Sequence, residues 1–495
     1  MKALQIMLLI SSLSLWSNSI PPTEDVEGFA KHADQFLKEI LNETMTQGAA
    51  FALVSKGKPV MLNGYGYADA AAKTKINKDT VFNIGSISKT VATWGVMHLV
   101  EQGRIDLDKP YTTYIKSWRL PDSEFDDRGV TVRRLLSHTA GLSVHGYPGF
   151  YPEDPRPSVK ESLNGNAEGR GATDSVKIIM EPGTKWKYSG GGYTILQLMI
   201  EEISGQSFED YMQQHIFKPL GMKHSSYVLP NHVDAKIAKA YGRIGQEIPL
   251  RRFTAQAAAS LKVSLDDFVR FTRANIPVAQ GGTGGGGVLS EKTIRSMWVA
   301  PPNSPEYALG YSIRKAGEKT IYGHGGDNYG WHAMLRVIPE TGDAIILFTN
   351  SDNGPYMRGS IGCLWASWLS GDQQTCFKPS LQTSLIKSYI DNGIDGLTAQ
   401  AHKQRKVNKE RFHERVLNGF GYDLLMNEKV DDAVKVFELN VAFFPDAANP
   451  HDSLGEGYMT QKRYDLAIKH YQRSIELDPT NDHAKNMIKK MKSMK

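Results

Sequence analysis

At 495 residues, 40% of them hydrophobic and 22% charged, the chain has the makeup of an ordinary globular protein with room for about three domain-equivalents and a large core. Its 58 Lys and Arg against 53 Asp and Glu leave a charge of +5, too weak a basic balance to call for nucleic acid, and no basic run interleaved with aromatics accompanies it. Two cysteines, and 14 histidines scattered without a His-Glu-x-x-His pattern, exclude the usual zinc-ligand spacings, so no metal is expected.

Met1-Lys2, the apolar run Ala3 to Trp16 and then Ser17-Asn18-Ser19 form the charged, hydrophobic and small-residue parts of a secretory signal. Residues 1–19 therefore read as a signal peptide. The apolar run is too short to span a bilayer comfortably, and no later stretch is long enough. The expectation is an exported protein, periplasmic or secreted, without stable membrane insertion. In such a compartment Cys363 and Cys376 either pair or stay free, and their spacing does not choose.

Phe51 to Ser55, the turn Lys56-Gly57-Lys58 and Val60 to Gly66 read as a hairpin, and His332 to Ile338 with Ala344 to Phe348 read as a second one far downstream. The region between is mostly helical in pattern. An antiparallel sheet assembled from the two ends of a domain, with a helical insertion between them, is the architecture this order implies.

Directly after the first hairpin comes Val81-Phe82-Asn83-Ile84-Gly85-Ser86-Ile87-Ser88-Lys89, followed by a helical run to Gln102 with Gly103 as its stop. Residues three apart on a helix are neighbours, so Lys89 can reach the Ser86 hydroxyl. Burial and the positive end of the helix dipole both disfavour a charged ammonium there, the direction a proton acceptor needs. Spacing alone is weak evidence, since Ser-x-x-Lys also occurs at Ser55, Ser312 and Ser384.

Four further segments accompany it. Leu135 to Leu142 contains His138, which ends an apolar run and reads as a buried histidine with its nitrogens satisfied locally. Pro182 to Tyr193 is a turn-rich loop presenting Tyr188 above Ser189-Gly190-Gly191-Gly192 and leading into a helix from Thr194 to Ile203. Gly281 to Gly287 reads as a flexible loop, lacking the Lys-Ser/Thr ending of a phosphate-binding one. Tyr322-Gly323-His324-Gly325-Gly326-Asp327 precedes the second hairpin, its glycines allowing a substrate close to the backbone.

In order and rough spacing, Phe82 to Lys89, Leu135 to Leu142, the Tyr188 loop and His324-Gly325-Gly326 resemble the class C β-lactamase-like, penicillin-binding-protein-like serine hydrolases, over about residues 25 to 375. The resemblance implies an α+β fold, an antiparallel sheet flanked by helices plus a helical subdomain, with the site in the cleft between them. It implies Ser86 as nucleophile, Lys89 and Tyr188 as the groups handling its proton, and the backbone N–H groups of Ser86 and Asp327 as the oxyanion donors. His324, Gly326 and Gly190 would line the substrate side, with no cofactor. A cation beside the phenol is expected to favour phenolate at Tyr188. The family's tyrosine motif usually ends in Asn where this chain has Gly190, and its third motif often begins with Lys where this chain has His324. Both departures favour esters or other acyl substrates over β-lactams and D-amino-acid peptides.

Beyond Lys378 the sequence turns charged and helical. Phe420-Gly421, Leu424, Ala433, Phe437 and Pro445 recur 34 residues later as Leu454-Gly455, Tyr458, Ala467, Tyr471 and Pro479, the tetratricopeptide period. Two repeats are fewer than such arrays usually need, so residues 381–412 and a helix from Ala484 to Met494 are expected to cap the pair. The organisation expected is a signal peptide (1–19), a hydrolase domain (20–378), a helical connector (379–413), two repeats (414–481) and a capping helix (482–495). The repeats imply either a protein or peptide docking surface or a stabilising appendage. The function expected is that of an exported serine hydrolase acting through an acyl-enzyme on a small-molecule acyl substrate. The alternatives are a receptor that is acylated and never cleared, and a repeat-based binding protein with an inactive front domain.

Overall fold

β1 (Gly48–Ser55) is buried at every one of its eight positions, because it lies inside a seven-stranded sheet covered on both faces. The computed structural model of the protein describes residues 20–166, 168, 171–377 and 380–493, so the signal-peptide reading of residues 1–19 lies outside the described residues. The other strands are β2 (Lys58–Asp69), β3 (Thr74–Lys75), β4 (Ser312–Ala316), β5 (Lys319–Asn328), β6 (Trp331–Ile338) and β7 (Asp343–Thr349), in the order β3-β2-β1-β7-β6-β5-β4, antiparallel throughout. β1 pairs with β7, Phe51 opposite Leu347, which brings the two ends of the unit together.

Side chains alternate across the sheet, and two separate cores result. Ala49, Phe51 and Leu53 face one side, Ala50, Ala52 and Val54 the other. On the first side lie α1 (Val26–Glu43), which buries Phe29, Ala33, Phe36, Leu37 and Ile40 at helical spacing, and α5 (Gly354–Ser370). Phe29 stacks on Trp368 at 4.4 Å between centroids. Cys363 on α5 is joined by a disulfide to Cys376, which resolves the pairing that spacing left open.

On the second side lie α2 (Ile87–Glu101), α3 (Gly190–Ser204) and the short α4 (Gln256–Ala259). α2 is buried all round from Ile87 to Met97. α3 begins four residues before the Thr194 expected from the sequence, because Ser189 Oγ accepts the Gly192 N–H and caps it. The segment Gly281–Gly287 is not a loose loop: the Gly284 N–H donates to Ile276 O and the Gly285 N–H to Ala274 O, pinning the turn to its own neighbourhood.

Residues 380–493, together with Glu43–Met45 and Gly242–Gln246, form a second, separately packed unit. α6 (Leu381–Val407) is broken at Asn392–Gly393, and five helices follow, α7 (Glu414–Met426), α8 (Val430–Phe443), α9 (Ala448–Thr460), α10 (Tyr464–Leu477) and α11 (Asp482–Lys492). A Cβ on Gly421 would fall 2.3 Å from the Phe437 ring and one on Gly455 3.0 Å from Tyr471, so each repeat closes its helix pair with an aromatic lying on a glycine. Leu385, Leu397 and Phe412 on one side, Ala484 and Met491 on the other, are buried in the same core as the repeats. No helix among the described residues is long and apolar enough to cross a membrane.

Candidate active site

The turn before α2 is built by three side chains. Asn83 Oδ1 accepts the Gly85 N–H at 2.9 Å and the Asn328 Nδ2–H at 2.7 Å, tying the turn to the end of β5. Ser88 Oγ donates to Gly85 O and accepts from Leu261 N. Gly85 takes a φ of +52°, and Ser86 follows as the residue before the first helical turn. The Ser86 side chain caps nothing, and among the described residues its N–H enters no backbone hydrogen bond.

Two glycines let the turn meet β5. A Cβ on Gly85 would lie 2.6 Å from Asp327 N, and one on Gly326 only 1.9 Å from Ile84 O. The Asp327 backbone therefore sits at contact distance from Gly85, the residue before Ser86. Gly326→Ala is expected to keep the sheet and lower kcat/KM by about a hundredfold or more, the size of one lost oxyanion donor. Circular dichroism confirms the fold, and a variant of unchanged activity removes this contact from the site.

Lys89 Nζ is 3.1 Å from Ser86 Oγ and 2.7 Å from Ala258 O. Its side chain is buried, and burial draws its pKa down from the ordinary lysine value to about 7. Its neighbours are aromatic: Nζ lies 4.9 Å from the Tyr188 ring centroid and 5.9 Å from that of Tyr193. Burial pushes the Tyr188 phenol well above the usual value and outweighs the Ser86 hydroxyl beside it, which favours the phenolate. This corrects the phenolate expected from the sequence. Lys89 loses its proton at a far lower pH than the phenol would, so it offers the phenol no lasting cation, and a dry pocket opposes the phenolate charge.

His324 is buried, and its pKa falls to about 4, through burial first and Lys89 second. Its Nδ1 faces Gly325 O, which only accepts, so Nδ1 carries the proton and Nε2 accepts from Tyr307 Oη at 3.0 Å. Both nitrogens are thus engaged within the protein. His138, at φ +59°, accepts the Ser189 N–H at Nδ1, but its buried Nε2 has no partner among the described residues, so local satisfaction holds for one nitrogen only. Its ring lies 4.2 Å from Tyr188.

Ser86, Lys89, Tyr188, His324 and Asp327 line one cavity of about 470 Å³. Gly326 is not among the residues lining it; its Cα packs against Ile84 O, between Gly325 and Asp327, which do line it. Gly190 does not join them. It is the first residue of α3, its N–H donates to His145 O, and a Cβ there would stand 3.1 Å from that carbonyl, so the His145–Tyr147 segment covers it.

Several wall residues escaped the sequence. His145 and half-exposed Trp186 line the cavity, and Tyr307 holds His324 from behind. Burial pushes the Asp327 carboxyl up, but the His332 Nδ1–H at 2.6 Å and the Arg358 guanidinium at 2.8 Å outweigh it and hold it at about 2. Burial alone would lower His332; Asp327 and Asp352 raise it above its ordinary value. None of these stands at a local spacing from the motifs; Asn83, which builds the turn two residues before Gly85, is the supporting residue that local spacing could have flagged. No group of residues able to hold a metal ion occurs among the described residues.

Residues 33–360 match the Beta-lactamase family model, and residues 453–481 match the Tetratricopeptide repeat model. Similar curated proteins include the "Putative penicillin-binding protein PbpX" of Bacillus subtilis (strain 168), 27% identical over 333 residues, 65% of this chain and 74% of that one. "Protein flp" of Staphylococcus aureus (strain MW2) is 24% identical over 336 residues, 65% of this chain and 64% of that one, so less than two thirds of its length is spanned. Among solved structures, the octameric penicillin-binding protein homologue from Pyrococcus abyssi superposes with a TM-score of 0.57 at 23% identity, covering 72% of this chain and 80% of that one. The D-amino acid amidase from Ochrobactrum anthropi SV3 gives 0.54 at 21%, covering 68% and 98%. Both structural likenesses concern the fold.

Proposed function

The chain belongs to the Beta-lactamase family, and from that premise we propose that it is an exported serine hydrolase that works through an acyl-enzyme and favours esters. The observation that carries the reading is the Lys89 amine, buried, drawn to about 7 and 3.1 Å from Ser86 Oγ. A neutral amine takes the Ser86 hydroxyl proton as Oγ attacks the acyl carbonyl. The Ser86 and Asp327 N–H groups receive the oxyanion, the Gly85 and Gly326 contacts holding them in place. Tyr188, a phenol in this environment, passes its proton to the leaving oxygen as it takes back the one Lys89 received, relaying the proton instead of acting as the base. Water then clears the acyl group by the reverse transfers.

Export is part of the proposal. The Cys363–Cys376 disulfide suits an oxidising compartment, as does the signal-like N-terminus. The repeats, on this reading, dock a protein or peptide.

Ester preference follows from charge. Near pH 7 His324 is neutral, Lys89 keeps its proton only about half the time, and Arg358 is taken up by Asp327. A β-lactam carboxylate would lose its hydration without gaining a fixed cation in this cavity. On one preparation, kcat/KM for a short-chain activated ester is expected to exceed that for a chromogenic cephalosporin by about tenfold or more. The reverse order would put β-lactam turnover first. A burst without steady-state release would instead mark a receptor that is acylated and held. Gly190→Asn is not expected to rescue the cephalosporin, since its side chain must first displace the His145 carbonyl.

A further inference from the structure

Behind β5, on the α5 side of the sheet, lies a second cavity of about 420 Å³. The alternate residues of β5 from Ile321 to Asp327 form one wall, and Pro355, Arg358 and Gly359 of α5 another. Three guanidiniums face it, from Arg314 on β4, Arg336 on β6 and Arg358 on α5. The one carboxylate in its lining, Asp327, is already bonded to Arg358 and His332.

Arginines that only brace a fold are ordinarily met by carboxylates, since a half-buried cation without a counter-charge is costly. Arg358 is met in that way. Among the described residues, the half-buried Arg336 has no carboxylate partner and bears that cost, and the exposed Arg314 beside it has none either. Arg336 donates to Gly362 O at 2.7 Å, and a Cβ on Gly362 would fall 2.7–2.8 Å from its guanidinium, so the helix is hollowed at that point to seat it. Burial, then Arg314 and Arg358, draws its pKa down to about 10, the mark of cations crowded without compensation. The first turn of the 17-residue α5 also faces the cavity, adding the positive end of its dipole.

We propose that this cavity is a binding site for an oxyanion group, a phosphate or carboxylate, held in the fork of Arg314 and Arg336 with Arg358 at its inner edge. Planar guanidiniums pair with such groups through two parallel N–H bonds, and a doubly charged phosphate would balance the excess charge. His324, Gly325 and Asp327 line both this cavity and the nucleophile's, so the site lies one strand away from the chemistry.

Binding is measured by isothermal titration of the full chain with inorganic phosphate, which needs no turnover and so stands or falls apart from the proposed hydrolase activity. Saturable binding is expected, weakened about tenfold or more by Arg314→Gln and by Arg336→Gln. Arg314 is exposed, so its variant keeps the fold even where loss of Arg336 does not. Comparing a neutral ester with its hemisuccinate counterpart locates the source of the anion. A lower KM for the hemisuccinate that Arg314→Gln abolishes assigns the site to the substrate's own terminus; phosphate binding without that difference assigns it to a free anion. Absence of saturable phosphate binding together with equal KM values, or binding unchanged in both variants, overturns the proposal.

Discussion

Ser86→Ala is expected to lower kcat/KM for an activated ester by about ten-thousandfold or more, because an acyl-enzyme cannot form without its nucleophile. The fold should not suffer, since the Ser86 side chain caps no helix N–H and α2 is held by Asn83, Ser88 and a fully buried face. An active-site-directed serine reagent should label the parent at Ser86 alone and the variant nowhere. Mass spectrometry that finds the adduct on another serine, or undiminished label in the variant, would sink the assignment.

Lys89→Met trades activity for stability. Removing the proton acceptor is expected to cost about a hundred- to ten-thousandfold in kcat/KM. In the parent, kcat/KM should rise with pH through about 7 as Lys89 loses its proton, and that limb should vanish in the variant. Tyr188→Phe should lower the plateau but keep the limb, since burial shifts the phenol the other way. Stability moves oppositely to activity. Unfolded lysine holds its proton up to about 10.4 and the buried one only to about 7, so between these values the unfolded state binds more protons and folding strengthens as pH rises. Lys89→Met escapes that penalty. It should be more stable than the parent by an amount on the order of a few kcal/mol near pH 7, the gap widening as pH falls from about 10 to about 7 and levelling off below. A variant less stable than the parent at pH 7 would mean that the amine is charged in the folded state.

Much of this is legible in the sequence wherever the signal is local or repeated. Ser86 and Lys89 are neighbours because a helix makes them so, and the two hairpins announced a sheet joined across the insertion through β1 and β7. The 34-residue period named the repeats because register is a property of the chain alone. What failed to show was set by burial and by contacts between distant segments. The direction of the Tyr188 shift depends on how dry its pocket is, which no spacing records. Gly190 stands where a motif would place a substrate contact, yet the His145–Tyr147 segment from elsewhere in the chain lies over it. Arg358 reaches Asp327 from α5, 31 residues on, and Tyr307 reaches His324 from 17 residues before; neither separation belongs to any periodicity.

The glycine-and-ring closure of the helical unit has a consequence for how that unit can change. Gly421 with Phe437 and Gly455 with Tyr471 are the same fastening made twice, so α7–α8 and α9–α10 present matching surfaces to whatever precedes and follows them. In stacks of this kind stability is roughly a sum over units and their junctions. A copied 34-residue unit inserted between the pairs would carry its own glycine and ring and find a like neighbour on each side, whereas an insertion of another length would leave both closures intact but break the seam between the pairs, where Gly457 packs under Val434 and Phe437. Array length is therefore quantised: it can grow or shrink in whole steps, while the seam between steps tolerates almost nothing.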